Sequence, residues 1–456
     1  MPILPIDTGR YATPEMNKIF EEEARLQKLL DVEAALVWAL AEVGICPRKD
    51  AEIIAKKAST RYVKLKRVEE IEKATNHDIM AMVNALSEVC EGAGSYIHYG
   101  ATSSDMLDTA TALQFKEALT VIEAKLNRLE AQLMSFSNRY KRTIMIGRTH
   151  GQHALPITFG LKTAVWMREI SRHIQRLEQC KERVLVGKVT GAVGTQAGLG
   201  PKGLQIQKLA MKKLNLKPVE VSTQVIQRDR HAELMLNLAL IASSLGKFAE
   251  EIRLLQRTEV GEISEFFDVK RQVGSSTMPH KVNPITSERI CGIAKLMRSL
   301  SLVALENIPS WHERDLTNSS AERFLFPCTF ILLDYMLALM NKIFSRLKVN
   351  KEQMAENLRA TKGRVMSESV MLSLTRKGLT RQEAHNAVRS LALKSLKEGK
   401  DFQEILRKDK NARKLLTAGD LNRALDPRSY LGTTIKQIEA AIKQTRIERS
   451  RRKLAS

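Results

Sequence analysis

The chain has 456 residues, of which 43% are apolar and 27% charged, and this ordinary composition excludes disordered and collagen-like proteins. At about 150 residues per domain, the length predicts roughly three domains with a sizeable core. Aromatic residues make up only 5%, and 23 glycines and 12 prolines are few for this length, which favours helices and argues against an all-β fold.

The charge balance is strongly basic, with 73 lysines and arginines against 51 acidic residues and a net charge of +22. Such a charge attracts anionic partners: nucleic acid, an acidic membrane surface or a polyanionic metabolite. A basic, ion-paired surface without a specific partner explains the composition equally well.

The cysteines and the N-terminus indicate the compartment. Five scattered cysteines without a Cys-x-x-Cys pair argue against a disulfide framework or a zinc ribbon and favour a reducing compartment. The N-terminal residues lack the apolar stretch of a signal peptide, and no run approaches the roughly 18 apolar residues of a membrane span. The sequence therefore predicts a soluble, cytoplasmic protein without a membrane partner.

Helix-breaking residues are bunched, and the gaps between them predict long helices. Thr13-Pro14-Glu15 forms a typical helix start. Neither Gly nor Pro occurs in the stretches 101–146, 161–186, 219–245 and 328–362. A helix filling most of the first stretch would approach about 60 Å. Apolar residues recur at helical spacing within these stretches, as at Leu234, Leu238, Ile241 and Leu245.

The predicted fold is all-α, with a central bundle of long helices. We expect an N-terminal helical domain at 1–100, the bundle domain at 101–362 and a C-terminal helical domain at 363–456. The breaker-rich islands are interpreted as loops at the ends of long helices: 92–100, 147–160, 187–203 and 274–284. The basic residues 446–453 are interpreted as a frayed, solvated end.

The first polar island, Y-G-A-T-S-S-D at 99–105, places hydroxyl groups at the start of the longest predicted helix. Hydroxyls and free backbone N–H groups in such a place bind carboxylate or phosphate well. Simple N-capping by Thr102, Ser103 or Ser104 is an equally good interpretation.

The second polar island, G-R-T-H-G-Q-H-A-L-P at 147–156, contains two histidines. Gly147 and Gly151 lie close to His150 and predict irregular backbone, a place suited to a proton-transferring histidine. His150 and His153 could also form a metal pair. Because no third group of ligands lies nearby, we expect no metal and interpret His153 as structural.

The densest polar cluster is G-S-S-T-M-P-H-K-V-N-P at 274–284. It lacks the glycine and Lys-Ser/Thr pattern of a phosphate loop and the Gly-x-Ser-x-Gly of a nucleophile elbow. Lys281 and Asn283 suit an anion, whereas Ser275 is a poor base unless donors and a nearby cation stabilise its alkoxide. The alternative is a polar loop that caps the next helix.

These three islands together resemble the fumarase/aspartase superfamily, whose members eliminate fumarate from succinyl-type substrates. His280 makes the third island more similar to the adenylosuccinate lyase family than to fumarases, aspartases or argininosuccinate lyases. Asn318 departs from the pattern, since bacterial relatives often have His there. The resemblance covers nearly the whole chain, through Arg10-Tyr11, T-N-H-D at 75–78, S-T-Q-V-I-Q-R-D-R-H-A-E at 222–233, E-R-D-L-T-N-S-S-A-E-R at 313–323 and D-P-x-x-Y-L-G at 426–432.

The resemblance implies cleavage of adenylosuccinate to AMP and fumarate, and of succinylaminoimidazole carboxamide ribotide to AICAR, in purine biosynthesis. His150 is expected to protonate the departing nitrogen, Ser275 to remove the proton beside the carboxylate, and Glu288 to orient His150. Lys281 and Asn283 would hold the succinyl carboxylate. The residues expected to bind substrate are Thr102, Ser103, Thr149, His77, Asp78 and Gln224. Of these, His77 is also expected to take part in catalysis. The implied phosphate-binding residues are Arg10, Tyr11, Arg314, Ser319 and Arg323.

The resemblance also implies a homotetramer in which segments 102–104, 150 and 275 of one site come from three subunits. A helix filling most of 101–146 is too long for the short terminal segments of one chain to cover, which favours such an assembly. We expect an anionic purine nucleotide as the small-molecule partner, with no cofactor, no metal and no specific nucleic acid.

Three alternatives remain open at this point. Arg314 and Arg323 could simply pair with Glu313 and Glu322 on a helix surface. A 3-carboxymuconate cycloisomerase can have a nearly identical loop at 274–284, but it needs no phosphate site. A basic helical protein that binds nucleic acid would explain the charge and leave the three polar islands unexplained.

Overall fold

A computed structural model describes residues 4–268 and 270–455, and these residues are predominantly helical, which confirms the all-α prediction. The α-helices are α1 (Pro14–Phe20), α2 (Glu22–Glu42), α3 (Arg48–Lys57), α4 (Leu65–Thr75), α5 (Asp78–Val89), α6 (Ser103–Arg139), α7 (Phe159–Val184), α8 (Gly203–Lys213), α9 (Asp229–Gln256), α10 (Ile285–Glu306), α11 (Thr317–Arg346), α12 (Lys351–Arg359), α13 (Ser367–Arg376), α14 (Arg381–Glu398), α15 (Phe402–Lys408), α16 (Lys410–Leu415), α17 (Ala418–Leu425) and α18 (Thr434–Ala455).

The strands are short and form three two-stranded pairs. Two pairs are antiparallel, β1 (Ile144–Thr149) with β2 (Gln152–Thr158) and β5 (Ile263–Ser264) with β6 (Lys348–Val349). The third pair is parallel, β3 (Val186–Gly187) with β4 (Lys217–Pro218).

Four of the long helices, α6, α7, α9 and α11, lie wholly or mostly in the stretches that lack Gly and Pro. Helix α6 has 37 residues, which at 1.5 Å per residue is about 56 Å. Gly246, Gly292 and Pro327 lie inside long helices and do not end them. Helix α9 continues through Gly246, where a Cβ would lie 3.0 Å from the Cβ of Ala294, so glycine allows α10 to approach closely. Helix α11 continues through Pro327, between Phe326 and Phe330, whose rings pack on Phe115.

The contacts divide the chain into two compact units. The first comprises the residues up to Asn127 together with Arg172–Gly246 and Ile290–Leu339. The second comprises Arg128–Ser171, Lys247–Arg289 and the residues from Met340 onward. Helices α6, α7, α9, α10 and α11 each contribute residues to both units. The three-domain division made from the sequence stays a prediction.

Each unit has its own aromatic cluster. In the first unit, Phe115 of α6 packs against His231 of α9 and against two rings of α11, with centroids 4.9–5.6 Å apart. In the second unit, Trp166 of α7 stacks on Phe248 of α9 at 5.0 Å. Burial of each such side chain contributes about 1.5–3 kcal/mol, so these contacts fix the long helices against one another.

The island 147–160 is not a loop, as the sequence suggested, but most of an antiparallel hairpin. Three of its four breakers fit the hairpin, and the fourth, Gly160, lies in the first turn of α7. Gly147 lies at a register shift, where a Cβ would come within 2.9 Å of the Leu155 carbonyl oxygen. Gly151 lies in the turn with a φ of 72°. Pro156 is tolerated because both strands of a two-stranded sheet are edges.

Two helices, α9 and α11, are long and apolar enough by composition to cross a membrane. Their apolar windows are 67% and 72% buried within the protein, as expected for core helices. The sequence analysis considered only uninterrupted apolar runs. An 18-residue segment can be apolar on average and still contain scattered polar residues, which is the case in these two helices.

The basic end of the chain is not frayed, which corrects the interpretation from the sequence. Helix α18 extends to Ala455, and its Arg449 and Arg452 donate hydrogen bonds to Glu130 of α6. Glu130 is fully buried and also accepts from the Ser171 hydroxyl at 2.6 Å. A buried carboxylate requires such partners, which explains why basic residues end the chain.

Replacing both Arg449 and Arg452 by Met should lower the free energy of unfolding by about 3 kcal/mol, because it leaves the buried Glu130 carboxylate without a cation. Denaturant titration followed by circular dichroism measures the change. The control is Arg451→Met on the same helix, at an exposed position. An equal shift for both variants would contradict the proposed role of the Glu130 pair.

Candidate functional site

A polar cleft in the first unit brings together seven of the residues predicted from the sequence. Its lining combines helix starts with irregular segments: the beginnings of α5, α6 and α11 and the chain around residues 192–193 and 224. The predicted residues that line it are His77, Asp78, Ser103, Gln224, Arg314, Ser319 and Arg323.

The start of α5 places two of these side chains. His77 is the N-cap residue, and its Nδ1 accepts from the Met80 backbone N–H at 3.3 Å. Its Nε2 therefore carries the proton in the neutral imidazole and is the nitrogen left for a ligand. Asp78 Oδ1 accepts from the Ile79 N–H at 2.8 Å, which turns Oδ2 toward α11.

The start of α6 is capped by a carboxylate, not by the hydroxyls that the sequence suggested. Asp105 Oδ2 accepts from the Thr102 N–H at 2.9 Å. Within residues 4–268 and 270–455, the hydroxyls of Thr102, Ser103 and Ser104 donate and accept no hydrogen bond. Ser103 therefore presents its hydroxyl to the cleft as an available donor.

Both arginines of the cleft have partners other than Glu313 and Glu322. The alternative in which they simply pair with those two carboxylates on a helix surface is therefore wrong. Arg323 donates to Asp78 Oδ2 at 2.7 Å, and Arg314 Nη1 donates to Gln224 Oε1 at 2.7 Å. The Gln224 amide in turn donates to the Ala192 carbonyl at 2.7 Å. Arg314 Nε is buried and has no hydrogen-bond partner among the described residues. The cleft thus offers an anion two guanidinium groups, each held by one neighbouring side chain.

A buried charge network lies beneath the first turns of α11. Arg228 donates to Glu322 Oε1 at 2.7 Å and to Asp108 Oδ1 at 2.9 Å. Burial alone would raise the pKa of Glu322. The His231 imidazole and the Arg228 charge together lower the pKa by a larger amount, so it lies below its usual value. Asn318 donates to Glu322 at 3.0 Å, which gives the departure from the family pattern a hydrogen-bonding role.

Two of the phosphate-binding residues that the resemblance implies, Arg10 and Tyr11, are not among the residues that line the cleft. The Tyr11 ring packs edge-on against Tyr335 of α11, with centroids 5.8 Å apart. Arg10 is exposed, and no hydrogen bond or ion pair joins its side chain to another residue in the described parts of the chain.

His150 occupies the turn of the β1–β2 hairpin in the second unit, where its side chain is exposed. Its φ of 53° and that of Gly151, 72°, define a two-residue turn, and Thr149 pairs with Gln152 across it. Two residues earlier, Arg148 forms two hydrogen bonds, 2.8 and 2.9 Å, with the fully buried Glu262. This bidentate pair anchors the hairpin that presents His150.

His153 lies across the hairpin from Arg148. Burial and the Arg148 charge lower its pKa, and the opposing effect of Glu262 is smaller. The imidazole is therefore neutral at neutral pH, in keeping with a structural residue.

The 274–284 loop of the second unit supplies one of the two features that a serine base requires, hydrogen-bond donors to its oxygen. Ser275 Oγ accepts from the backbone N–H groups of Met278, at 3.0 Å, and Thr277, at 3.2 Å. Two such donors stabilise negative charge on that oxygen. Asn283 donates to the Gly274 carbonyl at 3.1 Å, and a Cβ at Gly274 would lie 2.0 Å from the Lys281 carbonyl oxygen. Only glycine fits at this position.

The second unit does not join all of its predicted residues. Glu288 lies exposed in the first turn of α10, and neither its carboxylate nor the His150 ring has a hydrogen-bond or ion-pair partner in the described residues. The Lys281 ammonium is likewise exposed. The orientation of His150 by Glu288 stays a prediction.

Four buried charged residues were not among the predicted site residues. They are Asp105, Lys188 and Arg228 in the first unit and Glu262 in the second. Asp105 and Arg228 fall within quoted motifs, but a motif does not reveal burial. Lys188 gave one weak signal, as one of two lysines in the breaker-rich island 187–203.

Comparisons with known proteins match the chain almost end to end. A family model described as "Lyase" matches residues 9–297, and one described as "Adenylosuccinate lyase C-terminus" matches residues 363–441. The adenylosuccinate lyase of Methanocaldococcus jannaschii is 50% identical, over 97% of this chain and 96% of that protein. The Pyrococcus abyssi enzyme of the same name is 52% identical, over 97% of this chain and 98% of its own.

Solved structures share the fold at lower identity. The fumarate lyase from Mesorhizobium sp. BNC1 has a TM-score of 0.88 and 32% identity, covering 95% of this chain and 98% of its own. The 3-carboxy-cis,cis-muconate lactonizing enzyme from Pseudomonas putida has a TM-score of 0.89 and 31% identity, covering 98% of this chain and 100% of its own. The higher identity to the adenylosuccinate lyases argues against the muconate alternative.

Gly151→Ala should destabilise the hairpin turn by about 1 kcal/mol, because a side chain is strained at positive φ, and should lower the activity that depends on His150. Thermal unfolding and steady-state kinetics measure the two effects. Gly419→Ala, in the first turn of α17 with only a 3.7 Å contact, is the matched control and should be nearly neutral. Equal behaviour of the two variants would refute the turn constraint.

Proposed function

The chain belongs to the adenylosuccinate lyase family of the fumarase/aspartase superfamily, and from this premise we propose that its cleft binds the anionic end of adenylosuccinate. The reaction breaks a carbon–nitrogen bond and releases AMP and fumarate. The observation that carries the proposal is the convergence of Arg314, Ser319 and Arg323 on one cleft. A substrate with one phosphate and two carboxylates requires such a concentration of donors.

The phosphate would bind at Arg314, Ser319 and Arg323, which line the same cleft. His77 Nε2–H and the Ser103 hydroxyl supply neutral donors beside them. Asp78 would keep Arg323 in place, and Gln224 would do the same for Arg314, so both act on the substrate through the arginines.

In the elimination itself, Ser275 would take the proton from the carbon beside the carboxylate. The electron pair left behind delocalises into that carboxylate, held by Lys281 and Asn283, and then forms the double bond of fumarate as the carbon–nitrogen bond breaks. His150 would deliver a proton to the departing nitrogen. The two N–H groups at Ser275 Oγ support this role, because they favour its ionised form.

The same groups suit succinylaminoimidazole carboxamide ribotide, which carries the same phosphate and succinyl groups on a smaller heterocycle. We therefore include its cleavage to AICAR in the proposal. No described contact of the cleft discriminates between a purine and an imidazole ring.

We also propose a homotetramer whose sites are shared between subunits, acting in the cytoplasm. Exposed leucines on the long helices support the assembly. Leu240 of α9 and Leu296 and Leu302 of α10 are 50%, 55% and 62% exposed. Such apolar surface is costly in water and suits contact with other copies.

Purified protein should release fumarate from adenylosuccinate, seen by ultraviolet absorbance with a metal chelator present. Ser275→Ala and His150→Ala should each lower kcat by several orders of magnitude and leave substrate binding measurable, because each removes a proton-transfer group and not an anchor. An inactive wild-type protein would contradict the proposed reaction. Equal losses in binding and turnover would contradict the proton-transfer roles of Ser275 and His150.

Mixing the two inactive variants tests the sharing of sites. If Ser275 and His150 of one site come from different chains, random subunit exchange restores both residues in about one quarter of the sites. Activity should then rise toward about a quarter of the wild-type value. Verified exchange without recovery would leave the lyase assignment intact and exclude this shared site.

Arg323→Ala should weaken AMP binding by about tenfold or more and fumarate binding much less, because it removes a charge-assisted contact with phosphate and frees the Asp78 carboxylate beside it. Inhibition constants for the two products measure the effect. Arg67→Ala is the matched control, since Arg67 is 50% exposed and paired with Glu88, and Arg323 is 51% exposed and paired with Asp78. Unchanged AMP inhibition in Arg323→Ala would remove Arg323 from the site.

A further inference from the structure

Lys188 and Asp105 form an ion pair in which both side chains are fully buried, and the proposed reaction uses neither of them. Four donors converge on the Asp105 carboxylate. Besides the Lys188 ammonium they are backbone N–H groups: Thr190 at 2.9 Å, Thr102 at 2.9 Å and Gly191 at 3.1 Å. A carboxylate with this many donors is fixed in position.

The pair links three segments of the chain that are distant in sequence. Asp105 itself holds the start of α6 at Thr102 and the segment 188–191. Lys188 Nζ also donates to the Thr190 hydroxyl at 3.0 Å, and that hydroxyl lies 3.0 Å from the Ser222 hydroxyl. The chain from Asp105 through Lys188 and Thr190 thus reaches the segment 222–224.

Each of the three segments contributes to the lining of the cleft. Ser103 follows Thr102, Ala192 and Val193 follow Gly191, and Gln224 follows Ser222 by two residues. Gln224 closes the loop by donating to the Ala192 carbonyl and accepting from Arg314. These segments are irregular or helix-terminal, so the regular helices around them do not fix their relative positions.

We propose that the Lys188–Asp105 pair is the positioning element of the anion cleft. Through Thr190 it sets the spacing between the Ser103 hydroxyl, the 192–193 backbone and the Gln224–Arg314 contact. The inference rests on the proposed function for the identity of the ligand but not for the coupling of the segments. A shift of about 1 Å in such donors weakens substrate binding strongly without touching the groups that transfer protons.

The test is Thr190→Val, which removes one hydroxyl, keeps the side-chain shape and leaves both charges in place. Its matched control is Thr163→Val in α7. Thr163 is fully buried, and its hydroxyl accepts from the Ser137 hydroxyl at 3.1 Å, much as the Thr190 hydroxyl lies 3.0 Å from that of Ser222. Both variants should lose a similar amount of thermal stability.

Thr190→Val should raise KM for adenylosuccinate about fivefold, the size expected for one lost hydrogen bond, with kcat nearly unchanged. Thr163→Val should leave both constants within about twofold, because its hydroxyl holds no part of the cleft. Equal KM values in the two variants, or a fall in kcat without a rise in KM, would overturn the proposal.

Hydrogen exchange supplies a readout that needs no substrate. In Thr190→Val, exchange should accelerate together in residues 102–105, 188–193 and 222–225, and in Thr163→Val it should not. Acceleration confined to the segment around residue 190 would also overturn the proposal. An inactive wild-type protein would refute the proposed function alone, since the exchange pattern would still decide the coupling.

Discussion

Buried carboxylates on the long helices set the geometry of this protein. A carboxylate taken out of water costs several kcal/mol unless cations or hydrogen-bond donors meet it, so the elements that carry those partners are fixed where the pairs form. Asp105 and Asp108, less than one turn apart on α6, meet Lys188 and Arg228, respectively. Arg228 reaches on to Glu322 of α11. The first unit therefore places the starts of α6 and α11, two sides of the cleft, by charge pairing along one helix.

The sequence predicted the presence of long helices well, because long stretches without Gly or Pro leave few alternatives to a helix. It failed where a breaker has a local use. Gly246 and Pro327 lie inside helices, since tertiary packing outweighs the local preference, and Gly147 and Gly151 serve a hairpin. In the candidate site, motif spacing located the ligand-facing residues but not their supports. Lys188 and Asp105 are 83 positions apart, and Arg148 and Glu262 are 114 apart. No local pattern records a partner at such a distance.

The two units contribute different chemistry. The first unit collects charge and neutral donors for an anion, whereas the second presents His150 on a hairpin and Ser275 in a loop. His150 and Glu288 are both exposed and have no partner among the described residues of one chain. An exposed acid without an orienting group is poorly arranged for proton transfer. A site completed by other copies of the chain would supply the missing contacts, and the exposed leucines of α9 and α10 are suited to such an interface.

The arginines of the cleft are paired before any ligand binds, and this affects selectivity. Arg323 donates to Asp78 and Arg314 to Gln224, so an incoming anion must share each guanidinium group with the partner that it already has. A singly charged ligand gains little from such an exchange, because one charge-assisted contact replaces another. A doubly charged phosphate that reaches Arg314, Ser319 and Arg323 together gains more contacts than it displaces. Asp78 also repels anions that do not engage Arg323. The paired state thus disfavours simple anions and favours a ligand that engages both guanidinium groups at once.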